Sequence, residues 1–145
     1  MITIREAVPA DSAGIWAVNA EALGYDYQEE KTAERLNFVL QKEYYKLFVA
    51  VDAESGRVVG YIHGADYDCT YFDPVVNVLA LAVLEEYRGT GTGRRLMDSL
   101  EQWAGETGKK GIRLTSGGNR TEAHQFYAHI GFTMRKEQKN FMKYL

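Results

Sequence analysis

The run Arg88-Gly89-Thr90-Gly91-Thr92-Gly93-Arg94 carries the densest chemical signal in the chain. Glycines at alternate positions lie between two arginines, just before a segment whose Leu96, Leu100 and Trp103 share one helical face. The first N–H groups of a helix lack intrahelical acceptors, and the helix dipole places partial positive charge there. Glycine lets that backbone approach an anion with no Cβ in the way. With Arg88 and Arg94 adding charge, the turn suits a pyrophosphate. A Walker loop would end in Gly-Lys-Ser/Thr, but Gly93 is followed by Arg94-Arg95. The dinucleotide fingerprint would place its third glycine where Leu96 stands. A plain glycine-rich turn would not require the alternation.

The elements that must position this turn follow from hydrophobic periodicity. Residues 2–7 alternate as a first strand, and Pro9, Asp11 and Ser12 introduce a helix with the stripe Ile15, Val18, Ala22. A second helix covers about 28–42, with Leu36 and Leu40 one turn apart. Residues 46–51 and 57–63 flank a polar, glycine-containing segment and form a hairpin. Residues 75–84 are the most apolar stretch, as expected of a central strand covered on both faces, and Asn77 is its single polar side chain. The glycine turn and its helix follow, then Gly108 and Gly111, and a short strand at 112–115. A helix starts near Asn119, buries Ala123, Phe126, Tyr127 and Ile130, and stops at Gly131; strands at 132–136 and 139–144 finish the chain. The order β-α-α-β-β-β-α-β-α-β-β predicts an α/β (α+β) domain over residues 1–145, with helices on both faces of a mixed sheet.

Bulk properties narrow the function classes. The 145 residues are enough for one sizeable core, and 46% hydrophobic with 26% charged residues is ordinary for a globular protein. A formal net charge of -3 provides no basic face for nucleic acid. No apolar run approaches the roughly 18–20 residues of a membrane span, and the alternating start is unlike a signal peptide. Cys69 is the only cysteine, so neither an internal disulfide nor a Cys-based zinc cluster is available. The expectation is a cytoplasmic protein with no nucleic-acid partner, no membrane partner and no metal.

With the turn and the element order in place, the chain resembles the GCN5-related N-acetyltransferase (GNAT) superfamily. Arg88, Gly91 and Gly93 match its Arg/Gln-x-x-Gly-x-Gly/Ala signature, and Leu81-Ala82-Val83 with Tyr87-Arg88-Gly89 match its approach strand. The resemblance implies a mostly antiparallel sheet of about seven strands flanked by about four helices. It implies acetyl-CoA as acyl donor, its pyrophosphate on the amides of Gly89, Thr90, Gly91, Thr92 and Gly93, and its pantetheine arm along Leu81, Ala82 and Val83. The segment Arg120-Thr121-Glu122-Ala123-His124-Gln125-Phe126-Tyr127, with Ile130-Gly131-Phe132, is similar to the family's second signature. Tyr127 falls on the tyrosine that acts as general acid toward the departing sulfur, and Phe126 lies beside it in the cofactor region. The alternative is a core aromatic on an amphipathic helix. The family's asparagine position holds Arg120, with Asn119 one residue earlier; either can touch the CoA arm, and Asn119 is favoured. His124 reads as a brace for the preceding loop.

The family's usual glutamate base maps near Asn77 or Leu79, and neither can take a proton. Asn77 remains a catalytic candidate as an orienter of water or substrate, against the reading of a structural asparagine. Glu21, Asp26, His63, Asp66, Asp68 and Asp73 are the other candidate bases, and a water chain needs none of them. Tyr25, Asp26, Tyr71 and Asp73 lie in two aromatic and acidic segments that suit a cationic amine. The reading is acetyl transfer to a primary amine, a small cationic molecule, by direct attack in a ternary complex. An acyl-CoA sensor without activity and a protein or peptide N-acetyltransferase are the alternatives, and a homodimer through the C-terminal strands is an expectation.

Overall fold

Alternation in the first residues becomes β1 (Ile2–Glu6), and the computed structural model describes all 145 residues. It continues through α1 (Ser12–Leu23), α2 (Glu29–Leu40), β2 (Tyr45–Asp52), β3 (Val58–Tyr67) and β4 (Val75–Val83). Then come α3 (Thr92–Glu106), β5 (Ile112–Leu114) and α4 (Thr121–His129). The chain divides into two compact units, Met1–Leu114 and Thr115–Leu145.

The first unit is a five-stranded sheet in the order β1-β2-β3-β4-β5, antiparallel except for the parallel pair β4 and β5. Its two faces are covered by different helices. The Tyr61 hydroxyl on β3 meets Asn19 Oδ1 of α1 at 2.5 Å. Gly64, on the opposite side of β3, abuts α3, where an added Cβ would come within 2.6 Å of Leu100 Cδ1. Glycine is there because only a missing side chain lets the helix lie so close. The core holds Val18, Val49, Val59, Ile62, Val76, Leu96, Met97 and Leu100, all essentially inaccessible. In α3 the buried residues Leu96, Met97, Leu100, Trp103 and Ala104 form one stripe.

Two irregularities shape the sheet. Ala50 pairs Gly60 and Val51 pairs Val58, so Val59 is an extra residue in β3. His63 pairs Ala80 and Gly64 pairs Val78, so Leu79 is an extra residue in β4, and its side chain is half exposed. β5 accompanies β4 only along Val76, Asn77 and Val78. Above the bulge, residues 79–83 have a strand on one side only. The apolar run is therefore not central along its whole length, as its composition suggested.

An ion pair closes the start of the unit. Arg5 grips buried Asp11 through two hydrogen bonds of 2.8 and 2.9 Å, and Val8 N–H donates to the same carboxylate. Burial pushes Asp11 upward, but Arg5 and the amide outweigh it and hold the carboxyl below its usual range.

The second unit contains α4, where Ala123, Phe126, Tyr127 and Ile130 are half-buried as their spacing suggests. The helix ends with Gly131 N–H on Ala128 O and Phe132 N–H on Tyr127 O, the paired bonds of a Schellman stop. The strands expected at 132–136 and 139–144 are absent, so the sheet has five strands rather than about seven. Phe141, Met142 and Tyr144 are largely exposed, and strand-favouring residues form no strand without a partner ladder. The edge expected to pair with a second copy is likewise not formed.

Candidate active site

The glycine turn is built as an amide cradle. Gly89 and Gly91 take positive φ angles of 75° and 83°, and Gly91 is the N-cap of α3, with no side chain capping the helix. The backbone N–H groups of residues 89–94 find no acceptor in the protein; the first bond across the turn is Arg95 N–H to Gly91 O at 3.0 Å. An added Cβ at either Gly89 or Gly91 would meet no atom within 4 Å, so the concave side is open. Free amides at a helix N-terminus are what a bound diphosphate requires.

Side chains brace the cradle from behind. Thr90 Oγ1 donates to Tyr87 O at 2.5 Å and lies 2.8 Å from the hydroxyl of buried Thr92. Tyr87 donates to Asp52 at 2.9 Å, which raises the phenol and lowers the carboxyl. Arg88 Nε bonds Val83 O at 3.0 Å, so this arginine ties turn to strand as well as adding charge. Arg94 is exposed, and Arg95 reaches Ile2 O. Leu81 and Val83 are half-buried and Ala82 buried on β4, leading from the bulge to the turn over about 13 Å of strand.

Asn77 has a partner that sequence spacing did not reveal. Arg113 Nη1 donates to Asn77 Oδ1 at 2.6 Å across the parallel pair, and the guanidinium carbon lies 4.4 Å from the Tyr67 ring centroid. The one available signal was a lone charge inside the apolar triplet Ile112-Arg113-Leu114. Tyr67 also stacks on Phe72, whose ring is met edge-on by Tyr71. The Tyr71 phenol is pushed up, chiefly by the Cys69 thiol, with Arg113 pulling the other way.

The candidate bases separate by their surroundings. Glu21 pairs with Arg57 at 3.3 Å, and Asp66 pairs with Lys109 at 3.3 Å. Asp66 lies within β3 rather than in a loop, because the strand runs four residues past His63. His63 packs edge-on against Tyr45, its Nε2 is buried without a partner, and burial lowers its pKa to about 4. Asp26 and Asp73 are exposed in the two connections, as are Tyr25 and Tyr71; Trp16 Nε1–H holds the first connection through Tyr27 O at 2.7 Å. A cleft of about 490 Å³ contains none of these candidate bases. Trp103, Leu47 and Leu40 line it near the C-terminal end of α3, far along the helix from the glycine turn.

In the second unit, Tyr127 packs edge-on against Phe126 at 5.5 Å and Phe132 at 5.8 Å. Burial raises its phenol pKa, opposed by a smaller pull from Arg120. Asn119 is exposed before α4, Arg120 is the helix N-cap, and His124 Nε2 lies 2.9 Å from Gly117 O, bracing the loop as its position suggests.

The acetyltransferase (GNAT) family model matches residues 13–132. The chain belongs to the GNAT acetyltransferase family. A search of curated proteins finds no match. Among solved structures, this GNAT protein is similar to the aminoglycoside 6'-N-acetyltransferase AAC(6')-Ih from Acinetobacter baumannii: 15% identity, 100% of this chain and 99% of that one covered, TM-score 0.86. It is equally similar to AAC(6')-Iy in complex with a bisubstrate analog, CoA-S-monomethyl-acetylneamine: 16% identity, 100% and 99% covered, TM-score 0.86. A transcriptional regulator from Bacillus halodurans reaches the same TM-score of 0.86 at 22% identity, covering 99% of this chain and 100% of that one. At such identities the likeness establishes the GNAT fold, and fold alone does not choose an acceptor. Family membership makes the chain an acetyl-CoA-dependent acetyltransferase. No helix is long and apolar enough to cross a membrane.

Proposed function

We propose that this GNAT protein, acting as a single catalytic domain, moves the acetyl group of acetyl-CoA onto the primary amine of a small molecule by direct attack in a ternary complex. The observation that carries this reading is the row of unpartnered amides at residues 89–94, with Arg94 beside them. In this reading the diphosphate rests on those amides and the pantetheine arm pairs along Leu81, Ala82 and Val83; the family resemblance assigns Asn119 and Phe126 to the cofactor as well. Asp26 and Asp73, with Tyr25 and Tyr71, draw in the acceptor as an ammonium ion. The aminoglycoside acetyltransferases with the same fold support an amine acceptor.

A free alkyl amine has a pKa near 10, so its proton must leave before attack. β4 carries no carboxylate, and desolvation with a water relay serves instead. The amine nitrogen then bonds to the thioester carbonyl carbon, and the carbon–sulfur bond breaks. Tyr127 gives its phenol proton to the sulfur, the new ammonium loses a proton to water, and the phenol is restored from solvent. Asn77 acts as a positioning group.

Gly91→Glu places a carboxylate in the cradle and should abolish CoA binding, with a folding penalty of about 1–2 kcal/mol from the left-handed backbone. Calorimetric titration of CoA into the folded variant and wild type decides it; equal heats overturn the turn assignment. CoA binding without acetyl-CoA-dependent thiol release, across a broad amine panel, would establish a sensor instead.

A further inference from the structure

An arginine that is half-buried, held in one orientation and lacking any carboxylate is available for a ligand's acid group. Arg113 is in this position. The ion pairs of the protein join Arg5 to Asp11, Lys46 to Glu6, Arg57 to Glu21 and Glu86, and Lys109 to Asp66. Arg113 belongs to none of them. Asp66, the carboxylate one residue before Tyr67, pairs opposite Val76 and so points to the α3 side of the sheet, where Lys109 takes it. Asn77 and Tyr67 face the other side, the side that α1 covers, and they hold the guanidinium there.

The holding groups fix orientation without neutralising charge. Asn77 accepts from one Nη, and the Tyr67 ring sets the guanidinium plane by stacking. The other N–H donors of the fork have no protein acceptor, and their planar spacing matches an oxyacid. Arg113 also lies level with Asn77, just below the Leu79 bulge where β5 leaves β4. A molecule anchored at Arg113 would extend along the sheet toward the open stretch of β4.

We propose that Arg113 is the acceptor-recognition residue, gripping a carboxylate or phosphate carried by the same molecule whose amine is acetylated. This rests on the acetyl-transfer reading and narrows it to zwitterionic amines: the ammonium end meets the exposed carboxylates, and the acid end meets the guanidinium.

The test compares matched ω-amino alkanes bearing a carboxylate, a phosphate, a hydroxyl or a second amine, with acetyl-CoA and the full chain. Wild type should favour the acid-bearing acceptors in kcat/KM, and the first two arms show which acid is preferred. Arg113→Gln should raise KM for them by about ten- to hundredfold, the loss of a charge-assisted pair, and erase their advantage over the hydroxyl analogue. Arg113→Lys, which keeps the charge but not the fork, should fall between. Thermal unfolding and CoA affinity establish that the variants fold. A wild-type preference for the hydroxyl or diamine, or a preference for acids that survives Arg113→Gln, overturns the proposal. If no amine is acetylated, the transfer reading fails, and Arg113 is judged by calorimetry of the same amines against CoA-loaded protein. Acid-dependent binding lost in Arg113→Gln then supports the site, and no binding to wild type removes it.

Discussion

In the proposed reaction Tyr127 must still hold its proton at alkaline pH, and burial favours its neutral phenol. Its raised pKa means the protonated form persists beyond the ordinary tyrosine value of about 10. In the proposed reaction, kcat should therefore rise as the amine deprotonates and decline only above that value, read from a pH–rate profile. Tyr127→Phe should lower kcat by about a hundredfold or more with CoA affinity little changed; an unaltered kcat would reduce Tyr127 to a packing residue. The turn and the segment around Tyr127 stand out in the sequence because the residues of each motif are close neighbours. Arg113 with Asn77 does not, because 36 positions separate the pair and only the parallel register brings them together.

At the scale of elements, the helices and the first five strands were readable from periodicity to within a few residues. α3 shows why: its apolar stripe is long, uninterrupted and bounded by glycine. The expected C-terminal strands are absent because residues such as Phe141 and Tyr144 carry only β-propensity, and propensity forms a strand only when a ladder receives it. β3 runs beyond the expected 57–63 for the opposite reason. Gly64, Ala65 and Asp66 are weak strand formers, yet pairing with β4 carries the strand to Tyr67. Gly64 also predicts a measurable cost. Gly64→Ala would drive a methyl to 2.6 Å from Leu100 Cδ1 and 3.0 Å from Val76 Cγ1, and should destabilise the fold by about 1–3 kcal/mol in urea unfolding.

For the molecule as a whole, His63 and Asp11 make stability depend on pH, each in its own window. His63 is neutral in the fold down to about pH 4, whereas an unfolded imidazole takes a proton below about 6.5. The unfolded state thus binds more protons between those values, so stability is complete above 6.5 and declines toward 4, by roughly 3 kcal/mol at most. Asp11 acts lower: its depressed carboxyl stabilises the fold above the unfolded value of about 3.9 and stops doing so as pH falls through the folded one. Urea midpoints at pH 7 and pH 4.5 should differ in wild type, and His63→Leu should shrink the difference. The Leu79 bulge bears on a different kind of change, the loss of a codon. Shortening a strand by one residue normally turns half its side chains inside out. Because Leu79 is supernumerary, its removal would let Ala80 and Val78 follow one another opposite His63 and Gly64, every remaining side chain keeping its face. Removing Ala82 instead would swing Leu81 through the sheet. The first deletion should melt as a folded protein and the second should not, which would mark position 79 as the place where this strand tolerates a change of length.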